Sequence, residues 1–197
     1  MIQIDRQINS VFLSNTFIIK FDDSKDVYLI DCGDVERIIS SIPKDAKIKG
    51  VFLTHTHFDH IYGLNKLIEY FTNCVIYTNK QGKEGLFSDK LNFSRYHSES
   101  FIFRGNHIEL LEDGDEIFLS PYVVLKVLFT PGHDWSCISY YTDKVIFTGD
   151  SYIPSTKLIT SFPKSNKEEA TVSLNRIMGV SKNRDVYPGH GEIMKRN

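Results

Sequence analysis

The sequence predicts an α+β fold in which sheets form a sandwich and helices lie outside. Three observations lead there. Short β-patterned segments bounded by turn residues recur along the whole chain, with only a few helix-patterned segments between them. Fourteen Phe and ten Tyr supply the aromatic side chains that suit pleated, half-buried surfaces. The 197 residues, 41% hydrophobic and 24% charged, suffice for one domain, residues 1–197, with a full core.

The elements follow in order. Val11–Phe21 alternates and is rich in β-branched residues, which predicts a strand. A second strand, Asp26–Asp31, is stopped by Cys32-Gly33-Asp34. Asp34 can cap a short helix with Ile38, Ile39 and Ile42 on one face, ended by Pro43. Ile48–Thr54 is the continuous apolar run of a buried strand. Ile61, Leu64, Leu67, Ile68 and Phe71 recur at helical spacing, so the segment between them and that strand is a strand-to-helix turn, with Asp59 or His60 at the helix start. Cys74–Thr78 reads as a strand. One short helix around Gly82–Phe87 and a loop are expected before Arg104. Strands follow at His107–Leu111, Glu116–Leu119, Tyr122–Phe129, Cys137–Tyr141 and Val145–Thr148, with turns at Asp113-Gly114 and Asp143-Lys144. Ser155–Lys167 is a polar loop. Asn166–Val180 is an amphipathic helix with Ala170, Leu174, Ile177 and Met178 facing inward, and Asp185–Tyr187 is a last short strand.

Composition excludes some functions. The formal net charge is −2 with no dense basic run, which argues against a nucleic-acid partner. No apolar run approaches the roughly 20 residues that span a bilayer, so no membrane insertion is expected. Cys32, Cys74 and Cys137 are odd in number and widely spaced, as reduced thiols would be. The first residues show no basic segment leading into an apolar one, so the expected compartment is the cytoplasm.

Thr54-His55-Thr56-His57-Phe58-Asp59-His60 carries the chemistry. Three histidines and an aspartate lie within six residues, straight after an apolar strand. Imidazole and carboxylate are the ligands that borderline transition metals prefer. Three further fragments put a candidate ligand beside glycine at a strand end: Thr130-Pro131-Gly132-His133, Thr148-Gly149-Asp150 and Pro188-Gly189-His190-Gly191. Taken singly, Asp59 could be a helix cap, Asp150 a turn residue and each lone histidine a surface group. Four such pieces in one chain point to metal. With no cysteine among the candidates, the set is nitrogen and oxygen only, which suits Zn first and also Fe or Mn. His97 and His107 lie outside these segments, and no spare His or Glu near them offers a general acid.

Together the pieces resemble the metallo-β-lactamase superfamily of metallohydrolases. The pattern H-x-H-x-D-H, a lone His, a lone Asp and a final His runs in the family's order from Asp31 to His190. The resemblance implies a four-layer αββα sandwich with a dinuclear metal cleft at one edge. It assigns His55, His57 and His133 to one metal and Asp59, His60 and His190 to the other, with Asp150 and a water or hydroxide bridging them. Asp31 matches a position that is usually an acid near the metals. Asp59 and Asp150 are then the catalytic carboxylates, Asp59 also orienting the nucleophile. The chain is most similar to the small glyoxalase II-like (hydroxyacylglutathione hydrolase-like) branch, which implies hydrolysis of a small ester or thioester. The alternatives within the family are a mononuclear iron persulfide dioxygenase, a lactonase and a phosphodiesterase. Two departures matter. Seven residues follow His190, where full glyoxalase II carries a glutathione-binding helical domain, and Asp134-Trp135-Ser136-Cys137 stands where the branch usually has a Gly-Ser pair. The Phe87–Tyr96 segment and the Ser155–Lys167 loop are expected to frame a small acyl substrate, and Trp135 either joins them or is a buried packing residue.

Overall fold

The computed structural model describes residues 2–154 and 156–196. A six-stranded sheet has the order β1 (Ile2–Ile8), β2 (Asn15–Phe21), β3 (Ser24–Ile30), β4 (Lys47–Phe52), β5 (Val75–Thr78), β6 (Ile108–Leu110). A five-stranded sheet has the order β11 (Asp185–Pro188), β10 (Val145–Gly149), β9 (Ile138–Tyr141), β8 (Val123–Phe129), β7 (Glu116–Ser120). The helices are α1 (Val35–Ser41), α2 (Phe58–Ile61), α3 (Leu64–Tyr70), α4 (Lys80–Leu86) and α5 (Lys167–Val180).

Side-chain alternation makes this four layers. Phe17, Ile19 and Phe21 of β2 face the second sheet and pack with Leu125 and Val127 of β8, Tyr140 of β9 and Phe147 of β10. Ile18 of β2, Val27 and Leu29 of β3 and Val51 of β4 face the other way, onto Ile38 of α1, Leu64 and Leu67 of α3 and Leu86 of α4. Beyond the second sheet, Leu128, Ile146 and Val186 meet Ile177 of α5. The expected αββα sandwich is therefore the observed fold.

Local differences have physical causes. β1 was not expected: Asp5, Arg6 and Gln7 dilute its alternation, and it is an edge strand paired only with β2. The strand expected from Val11 begins at Asn15, because Phe12 and Leu13 adopt left-handed backbone (φ 51° and 56°) and turn the chain. Asp34 precedes α1 but makes no cap bond. Its carboxylate instead accepts from Ser10 N–H, Ser10 Oγ and Tyr62 Oη. Asp59 and His60 lie at the start of α2, which opens one residue earlier at Phe58. Asn166 caps α5 through bonds from the Glu168 and Glu169 amides. Ser155, at one end of the predicted loop, lies outside the described residues.

β3, β4, β5 and β6 run parallel, β10 and β11 run parallel, and β8 and β10 both pair antiparallel with β9. The C-terminal ends of β8, β10 and β11 therefore share one edge. The two sheets are joined there: Ile138 N–H donates to Thr54 O at 2.7 Å, and the Tyr140 hydroxyl donates to Leu53 O at 2.8 Å. The end of β4 thus meets the ends of β8, β10 and β11.

Candidate metal centre

That shared edge gathers all seven predicted donors. His55, His57, Asp59 and His60 follow β4, His133 follows β8, Asp150 follows β10 and His190 follows β11. Three sets of donor atoms lie close enough to share an ion: His55, His57 and His133; His55, His60 and Asp150; Asp59, His60 and His190. His133 Nε2 is 3.2 Å from His57 Nδ1. His190 Nε2 is 3.2 Å from Asp59 Oδ2 and 3.3 Å from His60 Nε2. The Asp150 carboxylate lies between the groups, 3.6 Å from His133 Nε2, 3.5 Å from His190 Nε2 and 3.6 Å from His60 Nε2.

The ring nitrogens that face away from this centre are held by neighbours. His60 Nδ1 lies 2.8 Å from Asp31 Oδ2, His133 Nδ1 lies 2.9 Å from Ile159 O, and His190 Nδ1 lies 3.1 Å from Phe12 O. Each acceptor fixes a proton on Nδ1, so that in the neutral ring Nε2 is the atom left free toward the centre, the arrangement that metal-binding histidines use. Asp31 is itself fixed by the Thr54 N–H and hydroxyl, each at 2.7 Å. Two atoms aimed inward, His55 Nε2 and Asp150 Oδ1, are buried without a hydrogen-bond partner. Buried polar atoms are rarely left so, and a divalent cation would satisfy both. The donors present therefore fit divalent metal.

Glycine makes the approach possible at two positions. Gly149 has φ +49°, and a Cβ there would meet Thr54 Oγ1 at 2.5 Å. A Cβ on Gly189 would lie 2.1 Å from Asp150 Oδ1 and 2.9 Å from His60 Cε1. A side chain at Gly149 would displace Thr54, which holds Asp31, and one at Gly189 would push Asp150 out of place.

The charges divide the centre. Burial pushes the His55 imidazole well below its ordinary value, and the neighbouring imidazoles push it further. Burial also lowers His133, against the pull of Asp150. On the other side, burial opposes protonation of His60, but Asp59, Asp31 and Asp150 outweigh it and raise the group well above its usual range. Asp150 and Asp59 likewise overcome burial at His190 and hold it at about 9. Burial favours a neutral Asp150, yet His60, His190 and His133 keep it at about 2, and Asp59 is lowered still further.

A family model for the metallo-beta-lactamase superfamily matches residues 9–190. The chain belongs to the metallo-beta-lactamase superfamily. It is 30% identical to a probable metallo-hydrolase of Streptococcus pyogenes serotype M6 over 97% of this chain and 84% of that protein. It is 32% identical to the hydroxyacylglutathione hydrolase of Buchnera aphidicola subsp. Acyrthosiphon pisum over 72% of this chain, and the matched region spans about half (49%) of that relative. Among solved structures it superposes on the BLEG-1 B3 metallo-beta-lactamase with a TM-score of 0.87 at 23% identity, covering 97% of this chain and 93% of the other. ETHE1 from Myxococcus xanthus gives a TM-score of 0.76 at 25% identity, covering 96% and 76%.

Beside the seven donors, the superfamily fold brings two groups to the centre that no sequence motif marked. Asp134 Oδ2 lies 3.5 Å from His57 Nε2, while its Oδ1 accepts from the Ser136 N–H. The signal for it was the Asp-x-Ser turn after His133, read above only as a departure from the branch. His97 lines the cleft, packed on Phe58 (4.6 Å between ring centres) and Phe12 (5.4 Å), so an imidazole uninvolved in the donor groups does stand there. Trp135 does not line the cleft. It is half-buried with Lys164 Nζ 4.0 Å over its ring. The two expected loops do reach the cleft, through Phe93 and Tyr96 from one and Ile159 and Phe162 from the other. Cys32 and Cys137 are buried free thiols, with Cys32 part of the core beneath α1. No helix among the described residues is long and apolar enough to cross a membrane.

Proposed function

We propose that the protein is a dinuclear metallohydrolase that cleaves a small ester or thioester. The observation that carries this reading is the Asp150 carboxylate, ionised and within 3.6 Å of imidazoles from both donor groups. His55, His57 and His133 would hold one ion, Asp59, His60 and His190 the other, and Asp150 both, with zinc the best match to an all-nitrogen-and-oxygen set and Fe or Mn also suited. When bound, such ions lower the pKa of water to about 7 and polarise a carbonyl.

The chain's own groups do the rest. Asp59 and Asp150 stay ionised, so either can accept a hydrogen bond from the attacking water and orient it. Asp31, Ile159 O and Phe12 O fix the ring orientations on which that geometry depends. A thiolate leaving group, with a conjugate-acid pKa of about 8.5, needs little protonation, and His97 at the cleft wall can supply a proton where an alkoxide leaves. The name hydroxyacylglutathione hydrolase on a relative 32% identical supports thioester chemistry. Free, buried cysteines suit a reducing cytoplasm, where we place the activity.

The redox alternative, a mononuclear iron persulfide dioxygenase, has the likeness to ETHE1 in its favour. Protein loaded with Zn, Mn or Fe and assayed on thioesters, lactones, phosphodiesters and a persulfide separates the readings. Release of thiol from a thioester without oxygen uptake is expected. Oxygen consumption on the persulfide with one iron per chain would overturn the hydrolase reading.

A further inference from the structure

The cleft above the metal centre is walled by aromatic rings on both sides. Phe93 packs 4.8 Å from His57 and 5.3 Å from Phe162, whose ring also lies 5.4 Å from His133. Tyr96 extends this wall outward, 6.4 Å from Phe93 and largely exposed. Across the cleft, Phe12 and Phe58 enclose His97 beside Asp59 and His190. The space between measures about 430 Å³, within the usual range for a small-molecule site.

Two of these rings are placed at a conformational cost. Phe12 and Phe93 both hold left-handed backbone, φ 51° and 63°, where aromatic residues are outliers. Strain of this kind persists where the surroundings enforce it, and here it turns one apolar ring toward the cleft from each side. Exposed Phe12 gains little from burial in return, at 65% accessibility. Fold stability alone does not explain that ring.

Among the described residues that line the cleft there is no lysine or arginine. Of the cations on the framing loops, Lys164 sits over Trp135 and Arg95 pairs with Asp89 at 2.9 Å. A substrate whose handle carries carboxylates or phosphates would find no side-chain counter-ion and would have to desolvate its charges against phenyl rings. Only the metal ions could meet them, at positions the reacting carbonyl needs.

We propose that this site selects uncharged thioesters or esters bearing an apolar, preferably aromatic, group, with Phe12, Phe93 and Phe162 as the specificity-determining residues. The proposal rests on the hydrolase reading for its reaction but on the cleft wall alone for its selectivity. The two are tested separately. Binding is measured by calorimetry on metal-loaded protein with two inert thioethers, S-benzyl-N-acetylcysteamine, which is neutral, and S-benzylglutathione, which carries two carboxylates and an ammonium. Turnover is measured with the corresponding benzoyl and acetyl thioesters of N-acetylcysteamine and with S-benzoylglutathione.

The neutral thioether should bind at least tenfold tighter than S-benzylglutathione. Benzoyl-N-acetylcysteamine should exceed both its acetyl analogue and S-benzoylglutathione in kcat/KM by a similar factor. Phe93→Asn and Phe12→Asn should each weaken the neutral thioether about tenfold with metal content unchanged. Asn tolerates left-handed backbone, and exposed Phe12 keeps the test open should Phe93→Asn fail to fold. Equal or tighter binding of S-benzylglutathione, or indifference to both substitutions, would overturn the proposal even if thioesters are hydrolysed. Selective binding without any hydrolysis would instead overturn the reaction and leave the selectivity standing.

Discussion

Replacing Asp31 tests whether the groups behind the histidines control the centre. Asp31 is buried, has φ +59°, and accepts three hydrogen bonds: Thr54 N–H at 2.7 Å, Thr54 Oγ1 at 2.7 Å and His60 Nδ1 at 2.8 Å. Asn tolerates that backbone and can keep the Thr54 N–H on its oxygen. Its amide nitrogen only donates, so it cannot accept from His60. His60 would have to accept at Nδ1 and carry its proton on Nε2, the atom 3.3 Å from both Asp59 and His190. The second donor group then loses a ligand. Loss of such a partner costs about 10–100-fold in metal affinity. The lost charge-assisted bond costs roughly 1.5–3 kcal/mol, and at about 2–4 °C per kcal/mol the melting temperature should fall by roughly 3–12 °C. Asp31→Ala removes all three bonds and leaves in left-handed space a residue whose side chain cannot hydrogen-bond locally. That sums to roughly 5–10 kcal/mol, the size of a whole domain's stability, so the Ala variant should not fold. The assay is a thermal melt of metal-free protein together with a competition titration of metal. An Asn variant that binds two ions with unchanged affinity would refute the reasoning.

Gly189→Ala should abolish most hydrolysis and also lower the melting temperature, because the new Cβ would lie 2.1 Å from Asp150 Oδ1 and 2.9 Å from the Gly149 backbone carbon; wild-type turnover in steady-state assays would contradict this. Asp150→Asn should keep the fold, lose most turnover and weaken one or both metals, as measured by kinetics and elemental analysis. Metal loading should depend on pH unevenly. Filling the Asp59–His60–His190 group displaces protons held by raised imidazoles, so its affinity should climb by up to tenfold per pH unit per proton as pH rises toward about 9. His55 and His133, held neutral by burial, should make the other group nearly indifferent above pH ~6.5. Competition titrations at two pH values check the difference. Trp135→Ala should lower stability by roughly 1–3 kcal/mol through lost packing and the Lys164 contact, leaving the Michaelis constant unchanged; a raised constant would return Trp135 to the cleft.

The donors were legible because a metal site needs rare residue types in short contiguous segments, and each segment follows an apolar strand. Burial alternation likewise made most strands readable, since one face of each meets a helix layer and the other the opposite sheet. What failed was local shape without local composition. Nothing in Val11-Phe12-Leu13-Ser14 distinguishes a left-handed turn from a strand, because aromatic and aliphatic side chains favour the latter. β1, polar along an edge, carried too weak an alternation. Asp134 and His97 act on partners brought to them by the fold: His57 is 77 residues from Asp134 along the chain, and Phe12 is 85 from His97. The loops that carry Phe93 and Phe162 were expected to frame the cleft, whereas Phe12, read as part of a strand, was not.

The most direct test of the account is a metal count. Metal-free protein is incubated with Zn, Mn or Fe, dialysed, and measured by elemental analysis alongside anomalous scattering from crystals. Two ions per chain are predicted, one among His55, His57 and His133 and the other among Asp59, His60 and His190, with Asp150 between them. No metal near His55 and His133 under any of these loadings would contradict it.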